Sequence, residues 1–387
     1  MCYISKKIAL SLLLIALLVT ALLACGGGAT KPTQVGQATN PPAPAATPGQ
    51  VHPTTVPEPT NTPKPTPVLP TATPQPVGFS RSNPYPRSEL VHAPNWDVQV
   101  LEVKRGEEAW KDIKAANMFN KAAPEGMEYL LVKLRVKSTY ADNDEHSISG
   151  CDFGVTGDRL ILYTCDMAMV VEPEPKLDAR LFTGGEAEGW SAYLVAQGEN
   201  NLILVVDELL NFDENAIRYI ALDEGATISI SPELASIKPN NLGKDRNNPA
   251  SRADKIITED WEISVIEVIR GEEAWKMVHD ANQFNKPPAE GLEYIAVKIH
   301  ARYIGTEDRA KNINHGFFKT TGNAGIMYDP ASVVPPKPSL DINLYPGGEY
   351  EGWVVVQAAK GETGLMLVFD PPFDFGGKNR RFISLEP

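Results

Sequence analysis

An internal repeat is the feature of this 387-residue chain that most constrains its fold. Residues 96–134 align without a gap to residues 261–299, at a constant offset of 165, and 22 of 39 positions are identical. The most similar part reads RGEEAWK at residues 105–111 and again at residues 270–276. The alignment predicts that one domain occurs twice along the chain.

Further matches set the expected limits of the two copies. After a shift of two residues the alignment resumes with GGE at residues 184–186 and 347–349, and all six tryptophans fall into three matched pairs. We expect a first domain over residues 81–235 and a second over residues 246–387. A polar segment, residues 240–245, joins them, as is typical of a loop.

Each copy is expected to be mostly β. Residues 96–103 alternate apolar and polar side chains, the pattern of a half-buried strand, and residues 129–136 and 202–206 have a similar β-rich composition. Gly184 and Gly347 supply turns in which a positive φ costs little. Strands at this spacing predict an antiparallel β-sandwich in each copy, with one short helix.

The helix is expected over residues 107–120. Trp110, Ile113 and Asn117 lie on one stripe, and Asn120 is expected to close the helix before a proline. The second copy repeats the stripe with Trp275, Val278 and Asn282.

Five short motifs carry a resemblance to a known family. They are Asn83-Pro84, the WxVxV strand that begins at Trp96, the Arg-Gly pair at Arg105, the Glu-Tyr pair at Glu128, and the GGE turn before Gly189-Trp190. Together they resemble exported bacterial immunoglobulin-like domains. The resemblance implies a β-sandwich on a lipoprotein or secreted protein, and it brings no catalytic residues.

The N-terminus has the pattern of an export signal. Lys6 and Lys7 precede an apolar run over residues 8–23, which is too short and wrongly flanked for a typical membrane span. The sequence LLAC that ends at Cys25 resembles the lipobox of bacterial lipoproteins. That resemblance implies a signal peptide over residues 1–24 and diacylation of Cys25, which anchors the chain on the extracytoplasmic face of the cell membrane. An uncleaved anchor helix is the alternative.

Residues 25–80 are rich in proline and threonine and are expected to be a disordered linker, either a plain spacer or a glycosylated stalk. Without residues 1–24 the chain has 34 basic and 49 acidic residues, a net charge of −15. An acidic surface repels phosphate backbones, so nucleic acid is not an expected partner. The membrane contact is expected to come from the lipid anchor instead.

Two cysteines remain after Cys25 and the signal peptide are set aside. Cys151 and Cys165 lie in a compartment that permits oxidation, and we expect a disulfide between them, with two buried thiols as the alternative. The second copy has Gly316 and Pro330 at these positions.

No sequence pattern indicates an enzyme or a cofactor. The histidines are scattered, none is matched between the copies, and no nucleophile or phosphate-binding motif is present. The acidic turns at residues 186–188 and 349–351, and residues 142–145, are weighed as a cation site or as solvated turns. We favour solvated turns and expect no metal.

The segment NxFNK occurs in both copies. Its asparagines are Asn117 and Asn120 in the first copy and Asn282 and Asn285 in the second. They indicate either a recognition patch or side chains that cap loop backbone, and capping is the simpler interpretation. The tryptophans are expected to be core residues before ligand platforms.

We therefore expect a monomeric, membrane-anchored lipoprotein that performs no chemistry. Its expected role is binding to another protein, a glycan or an envelope component, or a structural role. Tandem copies raise apparent affinity when both engage one partner, which favours binding. A lipoprotein that binds a small molecule or an ion for a transporter is the alternative, and it requires a cleft between the two copies.

Overall fold

The computed structural model describes residues 75–207 and 216–386. The predicted signal peptide, the lipidation site Cys25 and residues 25–74 of the predicted linker lie outside these residues. Within them, no helix is long and apolar enough to cross a membrane.

Short antiparallel strands dominate the first copy. In chain order its elements are β1 (Val91–His92), β2 (Trp96–Arg105), α1 (Gly106–Ala116), β3 (Met127–Ser138), β4 (His146–Ser149), β5 (Phe153–Thr156), β6 (Tyr163–Thr164), α2 (Cys165–Ala168), β7 (Asp178–Leu181), β8 (Glu186–Ala196), β9 (Ile203–Val206) and β10 (Arg218–Ala221).

The second copy follows the same plan. Its elements are β11 (Ile256–Ile257), β12 (Trp261–Arg270), α3 (Glu272–Ala281), β13 (Leu292–Tyr303), β14 (Lys311–Asn314), β15 (Phe318–Thr321), β16 (Asp341–Leu344), β17 (Glu349–Ala359), β18 (Met366–Phe369) and β19 (Arg381–Ser384).

Two sheets face each other in each copy. In the first copy the orders are β1-β2-β3-β8 and β10-β9-β5-β6, and β4 pairs with β7 at the side. In the second copy the corresponding orders are β11-β12-β13-β17 and β15-β18-β19, with β14 beside β16. The predicted fold class, two tandem antiparallel β-sandwiches, is confirmed.

The cores lie between the facing sheets. Trp96 and Trp261 begin equivalent strands, and both are buried. In the first copy Trp96, Val98 and Leu134 from one sheet share a cluster with Val155 and other residues from the opposite sheet. Side chains at alternate positions of a strand point to one face, so the period-two pattern of the sequence builds this core.

The repeated Arg-Gly pair links the helix to the sheet. The Nη2 atom of Arg105 donates to Glu128 Oε1 (2.5 Å) and to the carbonyl of Glu199 (2.9 Å). In the second copy Arg270 donates to Glu293 at 2.6 Å. Gly106 has a φ of 59°, which lets the chain turn from β2 into α1 without a Cβ penalty.

The first helix ends earlier than predicted. It ends at Ala116, and Asn117 has an extended backbone with a φ of −152°. Asn120 therefore does not cap the helix with its backbone. Its side chain reaches the last turn from outside the helix, because residues 117–120 form a turn in which Asn120 N donates to Asn117 O at 3.0 Å.

Cys151 and Cys165 form a disulfide with a Cα–Cα distance of 5.1 Å. The bond joins the turn after β4 to the start of α2. The second copy has Gly316 and Pro330 at these positions, and no helix corresponds to α2 among its described residues. The first copy thus contains a second short α-helix, Cys165–Ala168, that the sequence did not predict.

The two copies contact each other within the compact unit that begins at Gln75. The Arg81 side chain is fully buried, and its Nε donates to Asp308 Oδ1 at 2.6 Å. The Arg81 guanidinium also lies 3.8 Å from the centre of the Tyr345 ring. Tyr219 donates its hydroxyl to the Asp308 carbonyl at 2.9 Å.

A backbone bridge completes this interface. Leu162 N donates to Asn343 O at 2.9 Å, and Tyr345 N donates to Leu160 O at 2.8 Å. A segment of the first copy, Leu160 to Leu162, thereby pairs with the outer edge of β16 in the second copy. Ile161 from this segment packs against the second core.

Candidate functional site

The helix of each copy packs on the outer face of a sheet. Ala109 and Ile113 of α1 are buried and form a cluster with Tyr129 and Leu131 of β3 and Trp190 of β8. In the second copy Ala274 and Val278 of α3 do the same against β13 and β17. Both helices therefore direct their C-terminal ends, and the loops that follow, to a fixed place on the surface.

The loop after α1 is fastened by the side chain of Asn120. Its Nδ2 donates to the carbonyls of Ile113 and Val171, both at 2.8 Å. Its Oδ1 accepts from Val171 N at 3.0 Å. One side-chain amide thus joins the helix end, its own loop and the segment that follows α2.

Two further hydrogen bonds hold the same loop. Asn117 Oδ1 accepts from Phe119 N at 2.9 Å. The hydroxyl of Tyr129 donates to the carbonyl of Lys121 at 2.9 Å, and burial raises the pKa of Tyr129 above its usual range. The backbone on both sides of Phe119 is therefore fixed by side chains.

The second copy repeats the arrangement. Asn285 Nδ2 donates to the carbonyls of Val278 (2.7 Å) and Val334 (2.9 Å), and its Oδ1 accepts from Val334 N (2.9 Å). Asn282 Oδ1 accepts from Phe284 N at 3.1 Å. We call residues 117–120 and 282–285 the NxFN loops.

Each NxFN loop presents a phenylalanine to solvent. Phe119 is 82% exposed and Phe284 is 92% exposed. Met118 and Val171 are also exposed beside Phe119, and Val334 is exposed beside Phe284. A single exposed apolar residue is ordinary on a protein surface, but a large aromatic ring held outward at the same position in both copies is not explained by folding.

The asparagines and the phenylalanines have different roles in this geometry. The amides of Asn120 and Asn285 are engaged with the protein's own backbone, as the capping interpretation expects. The sequence identified the asparagines as candidate recognition residues but not the phenylalanines. Phe119 and Phe284 are identical between the copies while the preceding residues, Met118 and Gln283, differ, and this contrast was available in the sequence.

The carboxylates of the acidic turns lie beside basic side chains. Glu188 accepts from Arg135 at 2.6 Å, and Glu351 lies 3.0 Å from Lys298. Glu349 contacts His300 and Arg302, both at 3.3 Å. Within residues 75–207 and 216–386, no group of three or more His, Cys, Asp or Glu side chains is placed to hold a metal.

Residues 142–145 form a local turn. Asp142 Oδ1 lies 2.8 Å from His146 Nε2 and also accepts from Asp144 N at 3.1 Å. These contacts, the hydrogen bond from His146 first, lower the pKa of Asp142. The His146 ring stacks on Tyr140 at a centroid distance of 3.4 Å.

A cleft of about 560 Å³ lies between the two copies. Ile161 and Met167 line it from the first copy, and His300, Ile342 and Tyr350 line it from the second. Its volume is within the range of small-molecule sites, which is about 300 to 1,000 Å³. Glu349 and Glu351 of the acidic turn of the second copy also line it.

One family model matches the chain. It is described as a domain of unknown function, DUF4352, and it covers residues 257–380, within the second copy. A search of curated proteins finds no match.

Three solved structures are similar to parts of the chain. One, ycdA from Bacillus subtilis, a candidate lipoprotein, is 14% identical with a TM-score of 0.26, and the match covers 35% of this chain and only 38% of that one. The yjhA protein from Bacillus subtilis is 13% identical with a TM-score of 0.24, over 36% of this chain and 99% of that one. An uncharacterised β-sandwich protein from Clostridium difficile is 14% identical with a TM-score of 0.24, over 38% and 100%.

Proposed function

We propose that this chain is a non-catalytic binding protein that uses its two NxFN loops to contact a partner outside the cytoplasm. The observation that carries the proposal is the repeated exposure of Phe119 and Phe284, each on a loop whose backbone is bound by two asparagine side chains. Aromatic side chains that enter a partner's pocket supply much of the affinity in many protein interfaces.

Pre-organisation of these rings supports a binding role. A loop that is already ordered loses less conformational entropy when it binds. The hydrogen bonds of Asn120 and Asn285 fix the backbone near each ring before a partner arrives. Two such loops on one chain also allow bivalent contact with a repetitive partner, which raises the effective concentration of the second contact.

The proposed location rests on the N-terminal sequence. The lipobox resemblance at Cys25 and the linker that follows would present residues 81–387 at a distance from the membrane, attached by acyl chains. The disulfide between Cys151 and Cys165 agrees with an oxidising compartment. The domain limits 81–235 and 246–387 are part of the same proposal.

Photo-crosslinking in the parent cell tests the proposal. The photoreactive residue p-benzoylphenylalanine replaces Phe119 or Phe284 in the full-length chain. It preserves an aromatic ring at a site where the ring makes no core contact, so the fold is expected to be unchanged. We expect an adduct between this chain and a different molecule at both positions.

Phe375 supplies the matched control, because it is exposed, aromatic and remote from the NxFN loops in sequence. The proposal predicts no such adduct when the photoreactive residue stands at position 375. It is wrong if positions 119 and 284 give no adduct, or if position 375 gives the same products in the same yield.

The cleft between the copies favours a second candidate function, binding of a small molecule. Ile161, Ile342 and Tyr350 give it an apolar lining, which suits a small aromatic or aliphatic ligand. Calorimetry with indole and with calcium tests this alternative. A saturable heat with indole that is lost in Tyr350→Ala would support it, and the absence of heat with either probe would count against it.

A further inference from the structure

The contact between the two copies is asymmetric. The first copy contributes Arg81 and the segment from Leu160 to Leu162, whereas the second copy contributes Asp308, β16 and Tyr345. When two repeats bind through different surfaces, each repeat still has an unused equivalent of the surface that the other repeat contributes. The second copy therefore retains its own equivalent of the first set, and the first copy retains its own equivalent of the second.

Residues 325–327 of the second copy align with residues 160–162 of the first and have the same backbone conformation at their first position. Leu160 has a φ of 60°, and Gly325 at the equivalent position has a φ of 73°. Tyr163 then pairs with β5, and Tyr328 makes the equivalent bridge to β15. The segment is thus already shaped to pair with a strand edge.

The same segment is uncovered. Ile326 is 53% exposed and Met327 is 45% exposed. They align with Ile161 and Leu162, which lie in the interface between the copies. Arg246 aligns with Arg81 and lies beside the segment, where its Nη2 donates to Gly322 O at 2.5 Å. We call Arg246, Ile326 and Met327 the forward surface.

The first copy has a matching uncovered edge. Strand β7 aligns with β16 and pairs with β4 along one edge, while no strand pairs with its other edge in the part of the chain that the structure describes. Phe182 aligns with Tyr345 and is 60% exposed, whereas Tyr345 is 2% exposed. Asn143 aligns with Asp308. We call β7, Phe182 and Asn143 the receiving surface.

We propose that the forward surface of one chain binds the receiving surface of another chain, in the geometry that the two copies use within one chain. Ile326 and Met327 pack over the open edge of β7, and the Arg246 guanidinium lies over the Phe182 ring as Arg81 lies over Tyr345. The partner is a second copy of this protein. The contact involves neither NxFN loop and does not depend on the proposed function.

Through this contact the protein forms a reversible, head-to-tail assembly, whereas the sequence alone led us to expect a monomer. Asn143 has no charge with which to pair Arg246, so the contact between chains is weaker than the contact that Arg81 and Asp308 make within a chain. The lipid anchor of the proposed function is not needed for this contact, but it would hold chains on one membrane surface at a high effective concentration, which favours a weak contact. A forward surface remains free at one end, so the assembly is open.

Sedimentation velocity tests the proposal on the chain from residue 25 onward, with Cys25→Ser to keep it free of lipid. We expect the average mass to rise with concentration up to about 1 mM, a range that detects weak association. Phe182→Lys, which sets a positive charge against Arg246, and Met327→Glu should each remain monomeric. An equal mixture of the two variants should form a dimer and nothing larger, because it contains one intact surface of each kind.

Two further variants complete the design. Asn143→Asp restores the carboxylate that Asp308 supplies in the internal interface, and it should strengthen association on the order of tenfold. Phe284→Ala removes an exposed ring elsewhere and should leave association unchanged. The substitutions Phe182→Lys and Met327→Glu lie at exposed positions, and near-ultraviolet circular dichroism checks that the variants are folded.

Three results would overturn the proposal. The first is a wild-type chain that stays monomeric at about 1 mM, the weakest association considered. The second is association that persists undiminished in Phe182→Lys or Met327→Glu. The third is a mixture of these variants that stays monomeric although the wild-type chain associates, which would mean that the two surfaces do not bind each other.

Discussion

Replacing Asn120 with aspartate isolates the role of its two donated hydrogen bonds. Asn120 Nδ2 lies 2.8 Å from the carbonyl oxygens of both Ile113 and Val171, and Oδ1 accepts from Val171 N. Aspartate has the same shape and keeps the acceptor. It removes both donors and places a carboxylate oxygen against two carbonyl oxygens.

The expected loss follows from these contacts. Each donated hydrogen bond contributes about 1 kcal/mol net. A negative charge at the C-terminal end of α1 is unfavourable by a further 0.3 to 1 kcal/mol, on the order expected for a helix dipole. We therefore expect Asn120→Asp to lower the free energy of unfolding by about 2 to 3 kcal/mol at neutral pH.

Asn120→Ala separates the loss of donors from the added charge. It removes all three hydrogen bonds, but the exposed backbone of Val171 can bind water instead, so the expected loss is smaller, about 1 to 2 kcal/mol. Phe119→Ala should change stability by less than about 0.5 kcal/mol, because the ring is in solvent. The order of stability is therefore wild type and Phe119→Ala, then Asn120→Ala, then Asn120→Asp.

Urea denaturation measures these differences, since the midpoint and slope give the free energy of unfolding. Below about pH 4 the new aspartate is protonated and regains one donor, so its deficit relative to alanine should shrink. An aspartate variant as stable as the wild type would refute the reasoning, because the two carbonyl contacts would then contribute nothing.

Three other predictions concern the remaining contacts. Replacing Cys151 and Cys165 with serine should lower the free energy of unfolding by about 3 kcal/mol in the chain-entropy account, measured by urea denaturation. Asp308→Ala leaves the buried Arg81 without its ionic partner and should cost about 3 to 5 kcal/mol, and adding Arg81→Met should recover part of that loss in the same assay. Burial raises the pKa of Tyr219 to about 12, above the unfolded value of about 10. The contribution of Tyr219 to the free energy of unfolding is therefore complete below about pH 10 and is lost as the pH rises toward about 12. This loss should be absent from the alkaline part of a curve of stability against pH for Tyr219→Phe.

Local patterns in the sequence predicted the sandwich well. The alternation over residues 96–103 corresponds to β2, which spans Trp96–Arg105, and the paired tryptophans Trp96 and Trp261 are core residues. These features depend on side chains that are close together in sequence, and the same patterns occur in both copies. The helix limit was less accurate, because the hydrogen bonds that end it come from a loop and not from the helix itself.

The contact between the copies could not be predicted in the same way. Arg81 and Asp308 are separated by 227 residues, and neither lies in a motif. Asp308 aligns with Asn143, so the arginine–aspartate pair is not repeated and a comparison of the copies does not reveal it. The exposure of Phe119 was likewise hidden, because an apolar residue between two asparagines reads equally well as a buried loop anchor.

The separation between Arg81 and Asp308 also has a consequence for biosynthesis. The first copy is synthesised before Asp308 and Tyr345, which cover it, so the Arg81 guanidinium and the Tyr219 ring spend that interval in water. Closure of the interface is then a late event, which waits for the last third of the chain to emerge. A ribosome that pauses within the second copy would leave the first copy with this side uncovered for longer.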